Sequence, residues 1–63
     1  MRILIIEDDT NKMRRIANEV RKIRKNVHLT EVRSYQNGVR SLMSDQFDFL
    51  LLDMSLPIFD IST

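Results

Sequence analysis

The apolar run Phe49–Leu52, which ends at the carboxylate of Asp53, limits the choice of fold more than any other stretch of the chain. Four consecutive apolar residues without alternation are typical of a strand covered on both faces, as in a parallel sheet with helices above and below. Pro57 follows four residues after Asp53, so the extended segment should end before it. In such sheets functional groups lie just beyond the carboxyl ends of the strands. Asp53 is therefore a candidate functional residue.

The first stretch of the chain repeats this plan. Arg2–Ile6 is apolar and rich in β-branched residues, and Glu7, Asp8 and Asp9 follow it directly. Asp9 or Thr10 can cap a helix at this point, because a side-chain oxygen there accepts hydrogen bonds from the first backbone N–H groups. Acids at this position also suit the positive end of the helix dipole. The sequence thus predicts two strands that each end in carboxylates.

Apolar residues after Asn11 are spaced for a single helical face. They fall at Met13, Ile16, Ala17, Val20 and Ile23. Positions three and four residues apart lie on the same side of an α-helix. We therefore predict a helix from Asn11 to about Lys25 that buries these five side chains.

A second strand and a second helix follow. Val27–Val32 has the β-branched residues of a strand, and Ser34 can cap a helix from Tyr35 to about Met43, which Gly38 weakens. The expected inward positions of this helix are Tyr35 or Gln36, Val39, Leu42 and Met43. The order β-α-β-α-β favours parallel strands joined by right-handed crossovers.

Composition and charge exclude several classes of protein. The chain has no cysteine, which rules out disulfides and cysteine-ligated metals. It has neither a signal-peptide pattern nor an apolar stretch of the roughly 20 residues that span a bilayer, so we expect a cytoplasmic protein without membrane contact. The net charge is only +1, but residues 12–25 hold seven basic side chains against one acid. This segment could dock an acidic partner, although a solvated surface is the simpler explanation.

The carboxylates carry the most specific chemistry. If the first and third strands are neighbours, Glu7, Asp8 and Asp53 converge at one edge of the sheet. Oxygen-rich sites of this kind suit Mg²⁺, and a carboxylate can also attack phosphorus as a nucleophile. Alternatively, Asp8 and Asp9 only cap a helix and Asp53 only ends a strand. Residue spacing alone leaves both interpretations open.

With these motifs the chain resembles the first half of a response-regulator receiver domain, the phosphoacceptor module of two-component signalling. The resemblance covers residues 1–63 and rests on four matches: ILIIEDD at Ile3–Asp9, Met13-Arg14-Arg15, Gly38, and DFLLLDMSLP at Asp48–Pro57. It implies an α/β, flavodoxin-like receiver fold truncated to β-α-β-α-β, with three parallel strands in the order 2-1-3. Family members continue through further strands and helices that supply a Ser or Thr and a Lys to the site.

The resemblance also implies roles for individual residues. Asp53 would be the phosphoacceptor, taking a phosphoryl group from a sensor histidine kinase or a phosphotransfer domain. Mg²⁺ would be held by Glu7, Asp8 and Asp53 together with the backbone carbonyl of Ser55. Nucleic acid would be contacted only through an output domain outside this chain. One departure is Ile61, which stands where the family usually has glycine.

The truncated strand order leaves the third strand with an open outer edge, at which unpaired backbone groups and large apolar side chains would face water. Unpaired strand edges are templates for pairing with another chain. We therefore expect a homo-oligomer formed through this edge or through Pro57–Thr63. Two other functions remain open: a degenerate, non-phosphorylated receiver that serves as a dimerisation or assembly module, and an electrostatic binding module led by the first helix.

Overall fold

Strands and helices alternate along the whole of the chain that the structure describes. The computed structural model describes residues 1–53 of the 63, in which the elements are β1 (Arg2–Ile6), α1 (Thr10–Ile23), β2 (His28–Val32), α2 (Tyr35–Ser44) and β3 (Phe49–Leu52). The strands form one parallel sheet in the order β2-β1-β3. The predicted α/β class and truncated flavodoxin-like topology are confirmed. None of the helices within residues 1–53 is long and apolar enough to cross a membrane.

The core is built around β1, because this strand has a neighbour on each side and a helix on each face. Ile3 and Ile5 point to one face, where they pack with Met13 of α1. Leu4 and Ile6 point to the other face, where Tyr35 and Phe47 pack against them. Alternate residues of β1 therefore fix the two helices on opposite faces of the sheet.

The predicted buried face of α1 is correct except in its last turn. Met13 and Ala17 are buried, and Ile16 and Val20 are partly buried against the sheet. Ile23 is 80% exposed, contrary to the prediction. It is the last residue of the helix, and no other element among residues 1–53 covers it.

The predicted inward face of α2 is largely wrong. Val39, Leu42 and Met43 are exposed, whereas Gly38 is buried. The reason is the close approach of α2 to the sheet: a Cβ at residue 38 would overlap Ile6 Cδ1 and lie 3.7 Å from Val32 Cγ2. Gly38 thus selects the packing face, which is rotated away from the apolar stripe that periodicity identifies.

The third strand is not covered on both faces, contrary to what its composition alone predicts, and its large apolar side chains are exposed, as the open outer edge predicts. The four side chains of Phe49–Leu52 are between 37% and 56% exposed. β3 pairs with β1 on one side only, and both helices pack over β1 and β2. β3 therefore has the composition of a buried strand, although one edge and part of both faces are exposed.

Candidate metal centre

Backbone hydrogen bonds extend β1 and β3 by one residue beyond their carboxyl ends. The Glu7 N–H donates to the Val32 carbonyl at 3.0 Å, and the Asp53 N–H donates to the Ile6 carbonyl at 3.1 Å. Within the sheet, Ile6 is paired with Leu52. Continuing this register by one residue places Glu7 beside Asp53, so the sheet itself brings the two carboxylates together.

Three carboxylates meet at this edge. One oxygen from each of Glu7, Asp8 and Asp53 lies within 4.8 Å of the others. Glu7 is buried, Asp53 is half-buried and Asp8 is exposed. The cluster is therefore closed by protein on the Glu7 side and open to solvent on the Asp8 side. The chemistry of this donor set fits a hard divalent cation such as Mg²⁺, which binds one or two carboxylates and keeps several waters.

The electrostatics of Glu7 follow from this crowding. Burial raises the pKa of Glu7, and hydrogen bonds with the carboxyl groups of Asp53 and Asp8 raise it further. A hydrogen bond from the Asp9 N–H to Glu7 Oε2, at 3.3 Å, acts in the opposite direction. Neighbouring carboxylates disfavour each other's ionised form, and a bound cation would remove that penalty.

Asp9 has a different task, as the N-cap of α1. Its Oδ1 accepts hydrogen bonds from the N–H groups of Asn11, at 2.8 Å, and Lys12, at 3.1 Å. These bonds lower the pKa of Asp9, because they favour the charged carboxylate. Of the two predicted cap residues, Asp9 is correct and Thr10 is instead the first residue of the helix. Asp8 belongs to the carboxylate cluster.

The structure thus brings together three of the four predicted site residues. Ser55 and its carbonyl lie outside the described residues, as do Pro57–Thr63, which were predicted to contribute to an oligomer.

Sequence reasoning missed Arg33, which follows β2 directly. Its guanidinium donates to Thr10 Oγ1 at 2.7 Å, at the start of α1. With Arg14 and Arg21 of α1 it lines a cavity of about 240 Å³ that also includes Glu31. Arg33 could have been found by the rule that identified Glu7 and Asp53, since it too is the first residue beyond a parallel strand.

No protein-family model, curated protein or solved structure matches this chain. A proposal about its function therefore rests on the motifs of its own sequence and on the geometry of its residues.

Proposed function

We propose that this chain is the phosphoacceptor part of a cytoplasmic receiver domain, in which Asp53 takes a phosphoryl group from a sensor histidine kinase or a phosphotransfer domain. The observation that carries the proposal is the convergence of Glu7, Asp8 and Asp53 within 4.8 Å, at the carboxyl ends of two adjacent parallel strands. This is the edge of a parallel sheet at which ligands bind.

In this proposal Asp53 acts as a nucleophile. A carboxylate oxygen of Asp53 would attack the phosphorus of a phosphohistidine, and an acyl phosphate would form as the P–N bond breaks. The histidine leaves with the electron pair of that bond. Asp53 is half-buried and Asp8 beside it is exposed, so a phosphohistidine would approach from the side of Asp8.

Glu7 and Asp8 would hold Mg²⁺ beside the acceptor, with the Ser55 carbonyl as a further ligand. When bound, Mg²⁺ supplies positive charge that offsets the repulsion between the carboxylates and the phosphoryl oxygens. Glu7 would contribute a buried carboxylate to the Mg²⁺ site, and Asp8 would contribute an exposed one.

Intact mass spectrometry tests the acceptor directly. The parent chain, incubated with acetyl phosphate and Mg²⁺, is expected to gain the mass of one phosphoryl group, and Asp53→Asn is expected to gain none. Asp48→Asn is the matched control, because Asp48 precedes the same strand at its other end and should leave the gain intact. An equal gain in Asp53→Asn would refute the proposed acceptor.

Calorimetric titration with Mg²⁺ separates metal binding from phosphoryl transfer. We expect binding by the parent chain and a dissociation constant raised about tenfold in Asp8→Asn, because one anionic ligand is lost. Mg²⁺ binding without a mass gain in a folded chain would support the metal centre and refute phosphoryl transfer by this chain. That outcome would favour the degenerate receiver that works as an assembly module.

A further inference from the structure

Within residues 1–53, the open side of β3 is an apolar surface that no other element covers. Phe49 and Leu51 share the α1 face of the sheet with Ile3 and Ile5, whereas Leu50 and Leu52 share the α2 face with Leu4 and Ile6. All four side chains of the strand are exposed, and its outer edge has no partner strand among residues 1–53. β3 thus offers an apolar surface on both faces and an open backbone edge between them.

On the α1 face of the sheet, Met1 and Ile23 continue this surface, because they line a cavity of about 230 Å³ together with Phe49 and Leu51. We refer to Met1, Ile23 and Phe49–Leu52 together as the open flank.

The opposite edge of the sheet is different. β2 carries His28, Thr30 and Glu31 among its five residues, and His28 and Glu31 are exposed. Polar and charged side chains on an edge strand discourage pairing with another chain. The two edges flank β1 in the same register, since Leu4 is paired with Thr30 on one side and with Leu50 on the other. Of the two sheet edges within residues 1–53, the β3 edge is therefore the one suited to assembly.

The area of the open flank is enough for a small stable dimer interface. Its six residues are between 37% and 80% exposed. At about 200 Å² for the full surface of a large side chain, their exposed parts come to about 600 Å². This is the upper end of the largest apolar patch of an ordinary monomer, and two such surfaces together reach the roughly 1,200 Å² at which stable interfaces begin.

We propose that β3 pairs in antiparallel fashion with β3 of a second copy, about a two-fold axis perpendicular to the sheet. The result is a continuous six-stranded sheet with an isologous interface. An all-apolar strand is complementary to itself, because each face of the junction then brings apolar side chains together. This inference does not depend on phosphoryl transfer.

The symmetry restricts the register of this junction. A two-fold axis perpendicular to the sheet keeps each face on its own side, so residues directly opposite each other must point to the same face. Because successive residues alternate between faces, one residue of β3 must lie directly opposite the same residue of the second copy, with the axis midway between the two. Leu50 and Leu51 are the two central residues of β3. In neither of these registers does Asp48 lie directly opposite Asp53 of the second copy.

The arrangement leaves both carboxylate clusters open. Asp53 follows the carboxyl end of β3, and antiparallel pairing sends the two carboxyl ends in opposite directions. The two copies of the cluster of Glu7, Asp8 and Asp53 therefore lie at opposite ends of the junction. Assembly and the proposed chemistry are compatible.

Single cysteines test the register, since the chain has none of its own. Leu50→Cys, Leu51→Cys and the control Thr30→Cys would each be oxidised at low concentration and analysed by mass under non-reducing conditions. A residue on the axis faces its own copy at a distance that a disulfide can span, so one β3 variant should give about tenfold more covalent dimer than Thr30→Cys. Equal yields from all three variants would overturn the proposal.

Sedimentation of the unmodified chain tests the assembly itself. We expect a species of twice the chain mass, and Leu50→Lys should raise its dissociation constant about tenfold or more, because like charges on an edge oppose pairing. Thr30→Lys, on the other edge, should leave it unchanged. If circular dichroism shows that Leu50→Lys is unfolded, the disulfide yields of the cysteine variants decide whether β3 forms the interface.

Hydrogen exchange would show whether the β3 edge is exposed to water or covered by the chain itself instead of by a second copy. A monomer with rapidly exchanging β3 amides would mean that the edge is solvated, and a monomer with protected amides would mean that the chain covers its own edge. Either result overturns the proposed dimer.

Discussion

Gly38→Ala is expected to destabilise the fold, although alanine is the better helix former. Gly38 lies within α2 and is buried against the sheet. A Cβ added there would overlap Ile6 Cδ1 and lie 3.0 Å from Ile6 Cγ1. Ile6 is itself buried in the central strand, so it has little room to move away.

Two opposing effects set the magnitude. Replacing glycine by alanine in a helix interior stabilises it by about 0.8–1.0 kcal/mol. Overpacking a well-packed core costs about 1–3 kcal/mol. Gly38→Ala should therefore lower the free energy of unfolding by about 1 kcal/mol, whereas an exposed glycine in a helix would give the opposite sign.

A second substitution separates the steric cost of the added Cβ from the gain in helix propensity. Ile6→Val removes the Cδ1 atom that stands in the way, and alone it should cost about 0.5–1.5 kcal/mol. In the double variant the alanine has more space, so we expect a favourable coupling of about 1 kcal/mol. Ile5→Val is the matched control, because Ile5 is equally buried in β1 but faces α1.

Urea denaturation followed by circular dichroism, at one protein concentration throughout, would measure all of these variants. The reasoning is refuted if the coupling between residues 6 and 38 is no larger than the roughly 0.3–0.5 kcal/mol seen for independent sites. It is equally refuted if Gly38→Ala raises stability by its full helix propensity.

Two further predictions concern the ends of α2. Ser34 caps the helix through a hydrogen bond from the Asn37 N–H to its Oγ, at 3.2 Å, so Ser34→Ala should cost about 1 kcal/mol and Ser34→Gly only a few tenths. Denaturation of the two variants side by side checks this, and equal costs would contradict a capping role. At the other end, a hydrogen bond from the Gln46 N–H, reinforced by Arg2, lowers the pKa of Asp45 below its ordinary 3.8. The native state then binds fewer protons than the unfolded state, so this contribution to stability is present above about pH 4 and is lost as pH falls through the lowered pKa. Denaturation midpoints between pH 6 and pH 2.5 should thus fall less steeply in Asp45→Asn than in the parent, and identical slopes would contradict the assignment.

Much of the fold could be predicted because it depends on local chemistry. Strand composition, the spacing of apolar residues in α1 and the caps at Asp9 and Ser34 fixed every element to within about two residues. The carboxylate cluster could be predicted as well, since the carboxyl ends of adjacent parallel strands meet at one edge. Arg33 was missed only because the same rule was not applied to β2.

The errors concern which faces are covered. In α2, periodicity identified the apolar stripe correctly, but the close approach at Gly38 decides which face packs, and that depends on tertiary distances between backbones. Side-chain spacing carries no information about such distances. A glycine that weakens a helix by propensity proved to be the residue that lets the helix pack.

The remaining differences concern exposure. Ile23 was predicted to be buried and is exposed. Phe49–Leu52 have the composition of a covered strand, but they are exposed, as the open outer edge predicts. A strand needs apolar residues on both faces only if both faces are covered, so the composition of β3 indicates neighbours that residues 1–53 do not supply. The carboxylate cluster does not share this dependence, because the pairing of β1 with β3 is enough to hold Glu7 beside Asp53. A charge placed on the outer edge of β3 should therefore weaken assembly while leaving Mg²⁺ binding intact, and a loss of both together would show that the site requires the covered strand.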